Sequence, residues 1–127
     1  MTTIVLAHGA WSAVWAWARM RPLMAAAGHD FFTPTQTGLG ERAHLASREV
    51  TLDTHIADVA GLIEAEELED VTLLAHSYGG MVGTGVADRL RAGMRGAAFA
   101  DLRNVYDPRT AAEAGFAYVC VGRPGAD

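Results

Sequence analysis

Val71-Thr72-Leu73-Leu74-Ala75-His76-Ser77-Tyr78-Gly79-Gly80 is the stretch on which the fold turns. Val71 to Ala75 is the strongest strand signal in the chain, short enough for a strand buried on both faces. It runs without a spacer into Ser77 and then into a segment from Tyr78 to about Arg91 that is predicted to be helical. That helix contains Gly79, Gly80, Gly83 and Gly85, poor helix formers unless the backbone must approach something closely.

Upstream, the same alternation of elements recurs. Ile4 to Ala7 is an apolar strand entering a tight turn at His8-Gly9. A helix is expected from about Trp15 to Ala27, with Trp17, Met20, Met24 and Ala27 at helical spacing, Pro22 bending its first half and Gly28 closing it. Phe31 to Thr33 reads as a second strand, and Thr35 to Arg48 as a long loop without a period. Asp53 is the expected N-cap of a helix whose apolar stripe is Leu52, Ile56, Val59 and Ile63, ending near Glu66. Downstream, Ala97 to Ala100 is a weaker strand ending at Asp101. Asp107-Pro108 can open a short helix closed by Gly115, and Phe116 to Val121 can form a fifth strand.

Strands alternating with helices predict an α/β fold: a three-layer sandwich around a mostly parallel sheet, with helices on both faces and right-handed crossovers. The 127 residues are enough for one core and too few for two domains. Ten basic residues, all Arg, stand against fifteen acidic ones for a net charge of −5. The acids cluster only at Glu64, Glu66, Glu67, Glu69 and Asp70, and no basic concentration points to nucleic acid or an anionic membrane. Cys120 is the single cysteine, so an intramolecular disulfide is excluded and a cysteine zinc site lacks ligands. No metal and no organic cofactor is expected. With no basic leader and no long apolar run, the expected location is the cytoplasm.

Chemistry concentrates at Ser77. Ala75-His76-Ser77-Tyr78-Gly79 has small residues two positions either side of the serine, as a sharp strand-to-helix turn demands, and the flanking strand and helix supply the context that this nucleophile elbow requires. The bland alternative is an ordinary serine in a tight turn. The start of the following helix would place the Tyr78 N–H beside the serine oxygen. His8-Gly9-Ala10-Trp11, ending the first strand, can offer the Ala10 N–H from the neighbouring strand end.

The segments IVLAHGAWSAVWAW, PLMAAAGHD, PTQTGLGERAHL, LDTHIADV and LLAHSYGGMV resemble the α/β-hydrolases of the plant methylesterase and hydroxynitrile lyase group, in particular their bacterial esterase-like relatives. The resemblance covers roughly Thr3 to Asp101. It implies a carboxylic ester hydrolase acting on small molecules, with Ser77 as nucleophile and Ala10 and Tyr78 as oxyanion donors. His8, Gly9, His76 and Gly79 are then supporting residues, the two histidines being structural neighbours and not the base. In the family the triad acid and histidine follow a helical cap in the second half. Here His8, His29, His44, His55 and His76 are all the histidines, and none follows Ser77. Residues 1–101 are therefore expected to be the N-terminal part of such a domain, and 102–127 a divergent tail of helix plus strand. The fold would be partial, without cap and C-terminal part, and the enzyme truncated and of little or no activity. Asp101 is an alternative acid, or simply braces a loop.

Other roles are weighed alongside. A non-catalytic ligand-binding homologue would keep the pocket without turnover. A hydroxynitrile lyase-like enzyme would, by family resemblance, need a Lys that the sequence lacks. An uncovered sheet edge would favour self-association or leave the fold unstable. His44 can reach a pocket or lie in solvent, and His55 is expected at the surface or in a cap. Trp11, Trp15 and Trp17 are expected in the core and pocket wall, and Cys120 as a small buried hydrophobe. Gly38-Leu39-Gly40-Glu41-Arg42-Ala43 matches the letters of a dinucleotide fingerprint but lacks its strand-to-helix setting.

Overall fold

The computed structural model describes residues 1–90, 98–101, 109 and 117–120. Strand β1 (Thr3–Ala7) leads through a 3-10 turn (Val14–Trp17) to helix α1 (Met20–Ala26) and strand β2 (Asp30–Phe32). A second 3-10 segment (Gly40–Leu45) precedes helix α2 (Leu52–Ala65), strand β3 (Val71–Ala75) and helix α3 (Gly79–Leu90). Strands β4 (Ala98–Asp101) and β5 (Ala117–Cys120) complete the sheet. All neighbouring strands run parallel, in the order β2-β1-β3-β4-β5. The helix expected between Asp107 and Gly115 lies outside the described residues, Arg109 apart.

That order contains a reversal. The chain steps one way from β1 to β2, then returns past β1 to β3 and continues to β4. With right-handed crossovers, the connection through α1 must cover one face and those through α2 and α3 the other. The packing agrees: α1 rests on β2, whereas α2 and α3 pack on each other and on β1 and β3. The core between them is built from Val5, Ala7, Val71 and Leu73 of the strands with Val59, Ala60, Ile63, Val82, Val86 and Ala87 of the helices. Leu6 and Leu74, alternating with these residues, are buried on the opposite face. A crevice at the carboxyl ends of β1 and β3, where the connections part, is the general ligand position of such sheets.

Local chemistry sets the element ends, not always where the sequence suggested. Helix α2 is capped by Thr51, not Asp53: the Thr51 side chain accepts the Thr54 N–H while the Thr54 hydroxyl accepts the Thr51 N–H. Asp53 sits in the first turn, where its charge still favours the helix dipole. The expected helix from Trp15 to Ala27 is divided, with α1 beginning only at Met20. Gly28, at a φ of 80°, closes α1 by donating to Ala25 while His29 donates to Met24. Glu67 ends α2 by the same device at a φ of 50°, a conformation that costs a side chain-bearing residue. The stretch expected as a featureless loop holds the 3-10 segment and buries Thr35 and Gln36.

Two of the three tryptophans are corrections. Trp11 is 90% exposed and Trp15 64% exposed, and only Trp17 is partly buried. Their size argued for burial, but α1 contributes no buried residue and offers them little cover. Among the described residues, no helix is long and apolar enough to cross a membrane.

Candidate active site

Ser77 occupies the turn between β3 and α3 at a φ of 56°, in the left-handed region that a residue with a Cβ adopts at a cost. What holds it there is the abutment of α3 on β1. His76 extends the ladder by donating its N–H to Ala7 at 3.0 Å. Gly79 then lies so close to β1 that a Cβ would collide with the Ala7 carbonyl and come within 2.8 Å of the His8 carbonyl oxygen. Gly85 makes room for the Ile56 side chain of α2, a contact with side-chain atoms and not with backbone.

The end of β1 faces the turn. A Cβ on Gly9 would lie 3.1 Å from Ser77 Cβ and 3.0 Å from His76 Nδ1. Gly9 thus borders the serine directly, and Ala10 follows it. At the start of α3 the N–H groups of Gly79 and Gly80 are taken by the carbonyls of His76 and Ser77, each at 2.9 Å. The N–H groups of Ala10 and Tyr78 have no hydrogen-bond partner among the described residues, nor does the Ser77 hydroxyl. Asp101 ends β4 in register with Ala75, one strand beyond the serine on the same edge of the sheet.

The histidines divide into distinct environments. His8 is 1% exposed and fully engaged: its Nε2 accepts the Gln36 N–H at 3.0 Å, which leaves Nδ1 to donate to the Gly9 carbonyl at 2.8 Å. Accepting from Gln36 requires the neutral ring, and burial lowers its pKa below the ordinary value, the bond to the Gly9 carbonyl partly opposing that shift. Gln36 also donates its side-chain amide to the His8 carbonyl. His76 packs edge-on against Trp17, with ring centroids 5.6 Å apart, and its Nδ1 is buried. His44 is exposed in the second 3-10 segment.

His55 is neither on the surface nor a cap. It is 9% exposed, donates from Nε2 to the Thr37 carbonyl at 2.9 Å and receives the Tyr78 hydroxyl on Nδ1 at 2.8 Å. One helical turn later, Asp58 accepts both the Thr37 N–H, at 2.6 Å, and the Thr37 hydroxyl, at 2.8 Å. Arg42 completes this cluster with bonds to the Thr35 carbonyl and Asp58. Its partners lie far apart in sequence, and the one available signal was the polar pair His55 and Asp58 at helical spacing beside the apolar stripe. No cluster of three or more metal-ligating side chains occurs among the described residues. Gly38 and Gly40 open a 3-10 segment instead of linking a strand to a helix.

A parallel sheet with a strained serine at the β3-to-α3 turn and a facing glycine at the end of β1 defines a hydrolase-type frame, and residues 4–126 match the model of the alpha/beta hydrolase family, to which this chain belongs. Over 101 residues it is 54% identical to the carbendazim hydrolyzing esterase of Nocardioides sp. (strain SG-4G), an overlap of 80% of this chain and 42% of that enzyme. An extracellular α/β-hydrolase from a Paenibacillus species superimposes with a TM-score of 0.70 at 26% identity, over 83% of this chain and 43% of the other. A methylesterase from Arabidopsis does so with a TM-score of 0.66 at 25% identity, over 79% and 43%. The chain thus spans less than half the length of each of these relatives.

Proposed function

We propose that the chain carries the nucleophile and oxyanion half of a carboxylic ester hydrolase, with Ser77 attacking the ester carbonyl and the Ala10 and Tyr78 amides receiving the oxyanion. The observation that carries this proposal is the left-handed backbone of Ser77, held by the packing of Gly79 on Ala7 and His8. Strain of this kind persists only where surrounding structure imposes it, and it lifts the hydroxyl clear of the turn. The second support is the N–H of half-buried Tyr78 at the start of α3, which has no acceptor among the described residues, with the N–H of exposed Ala10 open beside the end of β1. The α3 N-terminus adds positive potential where charge develops.

In the reaction so assigned, the Ser77 oxygen forms a bond to the acyl carbon and the carbonyl electrons move to the oxygen facing the two amides. A base must remove the serine proton. His8 lacks a free ring nitrogen, and His55 is committed to Tyr78 and Thr37. None of the five histidines follows Ser77 in the sequence, and none bonds its hydroxyl. The 127-residue chain is therefore proposed to turn esters over slowly, by several orders of magnitude relative to a complete triad. Small esters are the substrate class, and carbendazim is a natural first choice given the name of the 54%-identical relative.

The test is covalent labelling with a fluorophosphonate, followed by intact mass and peptide mapping. With excess reagent and long incubation at alkaline pH, where hydroxide can take the serine proton, the expected product is one phosphonyl group on Ser77, formed slowly with fluoride released, and none in Ser77→Ala. A native protein that stays unlabelled would also count against the assignment. A label on another residue, or an unchanged label in Ser77→Ala, would refute the assignment. The absence of a histidine partner for Ser77 favours one other reading, a ligand-binding homologue that holds small esters without hydrolysis. Saturable ester binding that persists unchanged in Ser77→Ala, without turnover, would favour it.

A further inference from the structure

His55 stands where the two strands that meet at Ser77 are tied together by side chains. The amides of Ala10 and Tyr78 belong to separate segments, and their spacing depends on what joins those segments beyond the β1–β3 ladder. From one side, His8 next to Gly9 is bonded twice to Gln36. Gln36 is followed by Thr37, whose carbonyl accepts from His55. From the other side, the His55 ring accepts the Tyr78 hydroxyl and stands edge-on to the Tyr78 ring, with centroids 5.7 Å apart. Asp58 clamps Thr37 through its N–H and hydroxyl, so the acceptor that fixes the His55 ring is itself fixed.

We infer that His55 is a positioning residue for the oxyanion pocket: by joining Thr37 to the Tyr78 hydroxyl, it sets the Tyr78 amide at the distance from Ala10 that one anionic oxygen can bridge. The inference rests on the proposed role of Ser77 and adds the group that tunes it. No contact between His55 and substrate is invoked. The bond is available to either ring state. The neutral ring accepts from Tyr78 while Nε2 donates to Thr37, and a protonated ring would donate to both.

Phenylboronic acid tests this without a catalytic base. The Ser77 oxygen adds to boron, its proton passes to solvent, and boron becomes tetrahedral and negatively charged with an oxygen in the oxyanion position. Boron NMR separates the trigonal from the tetrahedral form and yields Kd for the full 127-residue chain. Tetrahedral adduct is expected in the native protein and absent in Ser77→Ala. Tyr78→Phe, which removes one oxygen and leaves the His55 bond to Thr37, should weaken binding about tenfold, less than the loss of an oxyanion donor outright. His55→Ala should weaken it by the same factor, and the double variant no further, because both remove one connection. His55→Gln, which can accept from Tyr78 and donate to Thr37, should restore binding to within about twofold of native, since it rebuilds the same two hydrogen bonds.

Thermal unfolding run in parallel separates position from stability. If Tyr78→Phe lowers Tm while its Kd stays within about twofold of native, where small surface-type effects lie, the positioning role is refuted and the Ser77 assignment stands. If His55→Ala does not fold, Tyr78→Phe and His55→Gln decide the matter alone. Adduct that survives in Ser77→Ala, or none in the native protein, would overturn the Ser77 assignment and the His55 role with it.

Discussion

Gly79 and Ala7 touch backbone to backbone: a methyl group on Gly79 would fall on the Ala7 carbonyl. The atoms struck, the Ala7 carbonyl carbon and oxygen, are main chain of a strand held in register from Thr3 to Ala7, so no rotamer change relieves the collision. Gly79→Ala is therefore expected to destabilise by about 3 kcal/mol, the upper part of the usual overpacking range. Denaturant unfolding would measure it, and a loss under about 1 kcal/mol would mean that the close approach is softer than described.

Ser77 and Glu67 both sit at positive φ, at 56° and 50°, and a glycine at either position would shed the cost. Ser77→Gly and Glu67→Gly should each raise unfolding free energy by about 1 kcal/mol. Only the first should abolish fluorophosphonate labelling. That pairing sets strain that serves the proposed chemistry apart from strain that merely ends a helix.

The His8 pKa is lowered chiefly by burial, so the folded state resists protonating a ring that the unfolded chain protonates readily. Its contribution to stability is present above the ordinary value of 6.5 and is lost as the pH falls from there toward the lowered folded value. Tm should accordingly decline between about pH 7 and about pH 5, the range in which an exposed histidine titrates. His8→Gln should flatten that part of the profile, whatever it does to the absolute Tm. A decline just as steep in His8→Gln would assign the effect elsewhere.

Asp58 accepts two bonds from Thr37 and pairs with Arg42 at 3.3 Å, with its side chain only 12% exposed. Asp58→Ala leaves the Thr37 N–H without its acceptor and should cost about 2 kcal/mol. Hydrogen exchange should show the Thr37 amide losing protection, while the Val5 and Leu73 amides, in the central strand pair, keep theirs.

For α2, Thr51→Ala should cost about 1 kcal/mol and Asp53→Ala a few tenths, as expected for a cap against a first-turn charge. Equal losses would restore Asp53 as the capping residue. The pair also illustrates how much could be read beforehand. Val71–Ala75 appeared at its observed bounds because a buried parallel strand is written as a local apolar run. The cap was misplaced by two residues because Thr and Asp are both good N-caps and only the backbone turn decides between them. The turn at Ser77 was expected from a short-range motif, and the structure has the serine at positive φ with Gly9 beside it, a Cβ there falling 3.1 Å from Ser77 Cβ. His55 was not, since its burial depends on Thr37 and Tyr78, 18 and 23 residues away in sequence, arriving from either side. Trp11 and Trp15 failed for the converse reason: side-chain size states a demand for cover, and α1 does not meet it.

The reversal of connections around β1 has a consequence for how such a protein can diversify. The parting of the connections beyond the tips of β1 and β3 arises from handedness and path, so it does not depend on particular side chains there. Segments grafted beyond the strand tips can alter which molecules enter, while the ladder beneath keeps its spacing. Variation and chemistry are thereby assigned to different parts of the chain.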